Sequence, residues 1–87
     1  MKYYAYILKC IDDSYYTGST FNLDERVKKH NQGTASEWTK MRRPVQLVYS
    51  EEYARLIDAT QRERQIKNWT REKKDKLIKG LWSKPNK

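Results

Sequence analysis

The sequence predicts a small α+β domain of three strands and three helices, on three observations. Aromatic and β-branched residues concentrate over residues 3–11, where both alternating faces are apolar, and again over 15–19. The apolar spacing turns helical after Asn22 and again over residues 56–68 and 71–79. Between these stretches stand turn and cap residues: Asp12-Asp13-Ser14, Gly18, Gly33 and Pro44.

In the first strand, Tyr4, Tyr6, Leu8 and Cys10 share one face, and Tyr3, Ala5, Ile7, Lys9 and Ile11 the other. Two apolar faces mark a strand covered on both sides, hence a central one. Asp12-Asp13-Ser14 suits a tight turn. The second strand is short, and Gly18 near its end either takes an unusual backbone angle or admits another group against the backbone. Asn22 and Glu25 can form a capping box for a helix over 23–32, and Gly33 can close it in the left-handed region. Leu23, Val27 and Asn31 line its inner side, with Arg26 and His30 flanking that line. Residues 33–44 form a polar connection that Trp38 is placed to pin to the body. Pro44 then stops any helix before a third strand at 45–49, while residues 51–55 carry no clear signal. The second helix, over 56–68, has Leu56, Ala59, Thr60 and Ile66 on its inner stripe, and Glu63 falls on that same stripe. Thr70 caps a third helix, 71–79, that buries Leu77, Ile78 and Leu81. One domain is expected over residues 1–80, followed by a basic, frayed tail over 81–87.

Composition narrows the function. Eighty-seven residues with 37% hydrophobic content leave three Trp and seven Tyr to supply much of the core. Nineteen Lys and Arg against eleven acids give a formal charge of +8. From Arg62 onward, ten Lys or Arg face only Glu63, Glu72 and Asp75, so +7 of it lies in the last third. A polyanionic partner is the natural expectation. The lone Cys10 excludes a disulfide or cysteine zinc site within the chain and reads as a small buried hydrophobe. No apolar run approaches the roughly 20 residues of a membrane span, and no signal-peptide block opens the chain, so a cytoplasmic protein is expected.

Five residues carry possible chemistry, and each has a plainer reading. Tyr6 and Tyr16 serve as packing residues in most strands. A phenol, with a reference pKa of about 10, becomes a useful base only beside a cation or a second base. Arg26 and His30 could be those neighbours; alone they read as a solvated charge and a structural histidine. Glu63 could pair with Lys67 at i+4. A carboxylate on an apolar stripe otherwise costs on the order of several kcal/mol until something satisfies it. A bound Mg²⁺ would do so, with one or two carboxylates plus waters and phosphate oxygens.

In this order the residues resemble the GIY-YIG nuclease superfamily, most of all its small stand-alone bacterial members. Tyr4-Ala5-Tyr6 and Tyr16-Thr17-Gly18 correspond to its two signature elements, and Arg26-Val27-Lys28-Lys29-His30 to the following helix. Glu63 corresponds to its metal-binding glutamate. The segment from Arg42 to Tyr49 and the lysine-rich last helix also look like that subgroup. Tyr4, Ala5 and Thr17 depart from the family letters. The asparagine that many members carry one helix after the glutamate has no counterpart identifiable by spacing; Asp75 and its lysine neighbours stand at about that distance. The resemblance implies a three-stranded antiparallel sheet in order 2-1-3 flanked by about three helices. It implies an endonuclease acting on DNA more than RNA by structure rather than sequence, in repair or recombination. One Mg²⁺ or Mn²⁺ would sit on Glu63. Tyr6 or Tyr16, the former preferred, would act as a phenolate and, with help from His30, take a proton from water, and Arg26 would stabilise phosphate charge. Lys40, Arg42, Arg43, Lys67, Lys73, Lys74 and Lys76 would hold the nucleic-acid backbone, with a partner protein possible for targeting. The rival is a non-catalytic nucleic-acid-binding module on the same scaffold. A third reading, a basic protein docking on an acidic partner, has no use for the carboxylate on the apolar stripe.

Overall fold

Strand β1, Tyr3–Lys9, is the middle of the sheet, as its two apolar faces require. It pairs antiparallel with β2, Tyr15–Thr20, on one side and β3, Gln46–Tyr53, on the other, giving the order β2-β1-β3. Among the described residues there are four helices: α1 (Leu23–Gln32), α2 (Glu37–Lys40), α3 (Leu56–Lys67) and α4 (Arg71–Ile78). The computed structural model describes residues 1–80, so the basic tail expected over 81–87, Leu81 included, lies outside the described residues.

Each face of β1 starts its own core. Tyr6, Leu8, Cys10 and Val45 pack with Tyr16 and with Leu23 and Val27 of α1. Ile7 on the opposite face packs with Ile66 of α3 and Leu77 of α4, edged by Tyr15, Val48, Tyr49, Trp69 and Ile78. Burial of Ile7 and Leu8 contributes about 2 kcal/mol each. The strand ends before Ile11, which is 65% exposed rather than part of a face. The chain has already turned there: Cys10 N–H donates to the Ser14 carbonyl, Asp13 adopts φ 73°, and the Asp12 carboxylate accepts from Ser14 N–H.

The caps of α1 follow the sequence in part. Asn22 Oδ1 accepts from Glu25 N–H at 3.1 Å, and Gly33 closes the helix at φ 83°. The capping box is one-sided, because Asn22 N–H donates to Thr20 Oγ1 instead of to Glu25. Thr70 caps α4 by accepting from Lys73 N–H. Residues 33–44 are not merely a connection: Ser36 caps the short α2 inside them. Leu56 is 53% exposed instead of inward, since an exposed Arg55–Asp58 pair holds the first turn of α3 and the buried stripe begins at Ala59.

Strand β3 runs four residues past its expected end. A register shift between Ile7 and Leu8 sets Tyr49, Glu51 and Tyr53 opposite Ile7, Ala5 and Tyr3, on the face toward α3. There Glu51 receives Arg62 of α3 in a two-pronged bond, Nε to Oε1 at 2.8 Å and Nη2 to Oε2 at 3.0 Å. The hydroxyls of Tyr49 and Tyr53 donate to the same carboxylate. Burial pushes the Glu51 carboxyl upward, but these four bonds outweigh it and hold it below its ordinary range. The clamp locks α3 against the sheet, one residue before Glu63.

Candidate active site

Antiparallel pairing sets Tyr6 opposite Gly18 and Leu8 opposite Tyr16, so both tyrosines lie on the face covered by α1. Their rings stand 6.5 Å apart. Tyr6 is fully buried and lies across Gly18: a Cβ there would sit 2.5 Å from the phenol oxygen. Of the two roles open to Gly18, close approach is therefore the one it performs.

Helix α1 supplies Arg26 and His30, one turn apart, and the imidazole settles beneath both tyrosines at 1% exposure. Its two nitrogens have different partners. Thr39 Oγ1 of α2 donates to the Ser36 carbonyl, so it accepts from the ring N–H at Nδ1, 2.8 Å away. Nε2 is then the bare acceptor for the Tyr6 hydroxyl at 3.0 Å. The result is one directed chain, from Tyr6 through His30 and Thr39 to Ser36. Burial, reinforced by the Arg26 charge, lowers the His30 pKa to about 4, so the ring is neutral near pH 7. Burial likewise pushes the Tyr6 phenol well above its ordinary value; Tyr16 and Glu63 add to this while Arg26 opposes it. Among the described residues, the Tyr16 hydroxyl has no hydrogen-bond partner, which leaves it open to water or a phosphate oxygen.

Glu63 comes from the layer on the other face. Ser19, opposite Ala5 and therefore turned toward α3, donates to Oε1 at 2.6 Å, and Lys67 Nζ lies 2.8 Å from Oε2. The carboxylate is thus satisfied within the chain, by the i+4 lysine that the plainer reading names and by a serine the sequence did not single out. It is still placed for chemistry. Its charge is felt at the Tyr6 hydroxyl, and its side chain is 19% exposed beside a lysine that is 49% exposed. Among the described residues no group of three or more His, Cys, Asp or Glu is arranged to hold a metal ion. A single accessible carboxylate fits an ion such as Mg²⁺, which takes most of its ligands from water and phosphate.

The seven basic candidates have different surroundings. Lys67 pairs with Glu63, and Lys74 is close enough to feel its charge: burial, with the charges of Arg71 and Lys67, lowers the Lys74 pKa. Lys73 sits with Nζ 5.0 Å from the Trp69 ring, and Lys76 is exposed on the last turn of α4. Lys40 and Arg43 converge over Gly33 on the α1 side. Arg42 bonds Asp12 and lies over Trp38. Asp75 accepts from the Tyr15 hydroxyl and is paired with Arg71. Thr39, Ser19 and the Glu51–Arg62 clamp were all missed in sequence. Ser36 before Glu37-Trp38 was a readable cap signal; nothing local marks Thr39.

The family model described as the GIY-YIG catalytic domain matches residues 2–76. A UPF0213 protein of Staphylococcus aureus strain Mu3 is 49% identical over 77 residues, spanning 88% of this chain and 94% of its own. The solution NMR structure of the UPF0213 protein BH0048 from Bacillus halodurans is 37% identical, with TM-score 0.59 over 99% of this chain and 90% of that one. The solution NMR structure of protein EF2693 from E. faecalis is 31% identical, with TM-score 0.62 over 93% and 86%.

Proposed function

Because this chain belongs to the GIY-YIG catalytic domain family, we propose that it is a divalent-metal-dependent endonuclease that hydrolyses phosphodiester bonds of DNA, directed by DNA structure rather than sequence. One observation carries the reading. The Tyr6 hydroxyl is bonded to a neutral imidazole and lies within electrostatic reach of Arg26, Tyr16 and Glu63. Packing alone has no need for that convergence.

In the resting chain Tyr6 is the neutral phenol, so it does not wait as a phenolate. Its hydroxyl is buried, so the attacking water has to enter beside it with the bound phosphate; there Tyr6 takes a proton from the water in step with passing its own to His30 Nε2. The imidazole then carries protons on both nitrogens, and its Nδ1–H keeps its bond to Thr39 throughout. Tyr16 orients the water or a phosphate oxygen with its open hydroxyl. Arg26 places its charge where negative charge grows on the phosphate. A Mg²⁺ or Mn²⁺ held by Glu63 would supply Lewis-acid stabilisation of the phosphate and the leaving oxygen. Lys67 of α3, Lys74 of α4, and Lys40, Arg42 and Arg43 at and just after α2 hold backbone phosphates without reading bases.

The second reading, a binding module without cleavage, is favoured by one observation: both Glu63 oxygens are already engaged, by Ser19 and Lys67. Incubation with Mg²⁺ or Mn²⁺ and single-stranded, duplex, nicked and branched DNA separates the two. Cleavage that disappears in Arg26→Ala and Glu63→Gln supports the enzyme. Salt-sensitive binding with no cleavage on any substrate supports the module.

A further inference from the structure

Hydrolysis of a phosphodiester moves two protons, and the Tyr6–His30 pair accounts for one of them. That pair removes a proton from the attacking water, while the oxygen that leaves phosphorus must gain one to end as a hydroxyl. Attacking and leaving oxygens stand roughly in line, on opposite sides of phosphorus. Tyr6 and His30 lie on the face of the sheet that α1 covers. The leaving oxygen therefore calls for a donor from the opposite face, where α3 and α4 pack and Glu63 bonds Ser19.

Lys74 of α4 stands there. It is half-buried, one turn before the buried Leu77, and its neighbour Asp75 accepts from the Tyr15 hydroxyl of β2, the strand that also carries Ser19. Its ammonium feels the charge of Lys67, which lies 2.8 Å from Glu63 and within electrostatic reach of Tyr16. Lys74 thus shares the charged neighbourhood of the candidate site, but not its pairing. Lys67 has Glu63, and Arg71 has Asp13 and Asp75. Among the described residues the Lys74 ammonium has neither an ion pair nor a hydrogen bond. Burial, then the charges of Arg71 and Lys67, lower its pKa, which makes the proton easier to give away. A lysine kept only as a fixed charge has no use for that setting.

We propose that Lys74 is the general acid that protonates the leaving oxygen as its bond to phosphorus breaks. The proposal rests on the reading of this region as a phosphodiester site and adds a residue to that reaction. The water oxygen forms the new bond to phosphorus, and its proton passes to Tyr6 as the Tyr6 proton passes to His30. The leaving oxygen keeps the electron pair of the broken bond and takes its proton from Nζ. Lys74 ends as a neutral amine and His30 as an imidazolium, so charge balances, and exchange with solvent resets both.

A sulfur leaving group tests the step. Once the cut is mapped, the full chain is given the same DNA with sulfur in place of the leaving oxygen. A thiol, with a pKa of about 8.5, departs without the proton that a far less acidic alcohol requires. Lys74→Arg keeps the charge but holds its protons too tightly to give one up. In Mn²⁺ it should cleave the oxygen strand about 10²–10⁴-fold more slowly than wild type, the size of acid–base help. It should cleave the sulfur strand close to the wild-type rate, and bind DNA in EDTA as wild type does. Lys74→Met should show the same rescue by sulfur with weaker binding. Circular dichroism melts verify folding, and Lys74→Arg carries the test if the methionine variant does not fold. Lys74→Arg cleaving the oxygen strand as fast as wild type would overturn the proposal, since charge alone would then suffice. So would a loss of rate that sulfur does not restore. An active wild type with either result costs only the acid; a wild type that cleaves neither strand removes the nuclease reading and the acid with it.

Discussion

Two glutamates reach the same layer of the molecule and are treated in opposite ways. Glu51 and Arg62 are sealed, with side chains 6% and 9% exposed, and four hydrogen bonds close on the carboxylate. Glu63, one residue along the same helix from Arg62, has one serine and one lysine, and that lysine is half in water. A planar arginine fork with two tyrosines leaves no room for an exchange of partners. A flexible, hydrated ammonium can be displaced. The difference separates a carboxylate that holds the fold from one that can take a ligand.

The largest effect should come from breaking the sealed site. Glu51→Gln leaves the Arg62 charge buried without its partner, a loss of about 3–5 kcal/mol. That is a large fraction of the stability of a small domain. Urea melts measure it. Replacing the pair together, as Glu51→Met with Arg62→Leu, should recover much of the loss, because two apolar residues strand no charge. A single variant as stable as wild type would mean that the clamp does not hold α3.

His30 offers the next test. Its pKa in the folded chain, about 4, lies below the ordinary 6.5, so between those values the unfolded chain binds a proton that the folded chain refuses. The stability it contributes is complete above pH 6.5 and is lost as pH falls toward 4. At about 1.4 kcal/mol per unit the loss reaches about 3 kcal/mol. Glu51 titrates below its ordinary range, so its share is lost only at lower pH, below about 4.5. His30 is the only histidine in the chain. Urea midpoints at pH 7, 6 and 5 should therefore fall in wild type and stay level in His30→Gln; a flat wild-type profile would contradict the buried neutral ring.

These two regions also show what a sequence discloses. The alternation of β1 assigned Tyr6 its face, and the Asn22 and Gly33 caps set Arg26 and His30 beside the side of α1 that meets the sheet, because each signal is local; the face of Tyr16 follows only from its pairing with β1. Tyr49, Glu51 and Tyr53 carry a period-two pattern that would have lengthened β3, yet two adjacent glutamates blurred it and residues 51–55 carried no clear signal. Arg62 gives no local hint of a partner eleven residues back. The shift at Ile7 and Leu8 that aligns them is a property of strand pairing, and Thr39 becomes meaningful only when α2 folds against α1. Tertiary partners of polar residues are what spacing hides.

At the open site, Glu63→Gln should change stability by less than about 1 kcal/mol, since it removes a half-exposed pair and keeps an acceptor for Ser19. Its mark should instead be functional. Cleavage should vanish, and Mn²⁺ binding by calorimetry should fall sharply. A Gln variant that melts several degrees lower and binds Mn²⁺ as wild type does would make Glu63 a second Glu51, and the nuclease mechanism would lose its metal ligand.

The smallest effect probes the lysine that distinguishes the sites. Lys67→Met keeps the aliphatic stem but removes the charge on Glu63 Oε2. The pair is exposed enough for solvent to screen it, so stability should change by less than about 1 kcal/mol. Metal binding should move the other way. With Lys67 present, a divalent ion must displace an ammonium from the carboxylate and approach against its repulsion. Removing both hindrances should tighten Mn²⁺ binding about two- to five-fold in the absence of DNA, the equivalent of a solvent-screened pair. DNA affinity should fall slightly at the same time, because one phosphate contact is lost. Calorimetry with Mn²⁺ alone isolates the first effect from the second. Unchanged or weaker Mn²⁺ binding in Lys67→Met would mean that the lysine does not compete for Glu63, and the contrast with the sealed Arg62 fork would lose its functional meaning.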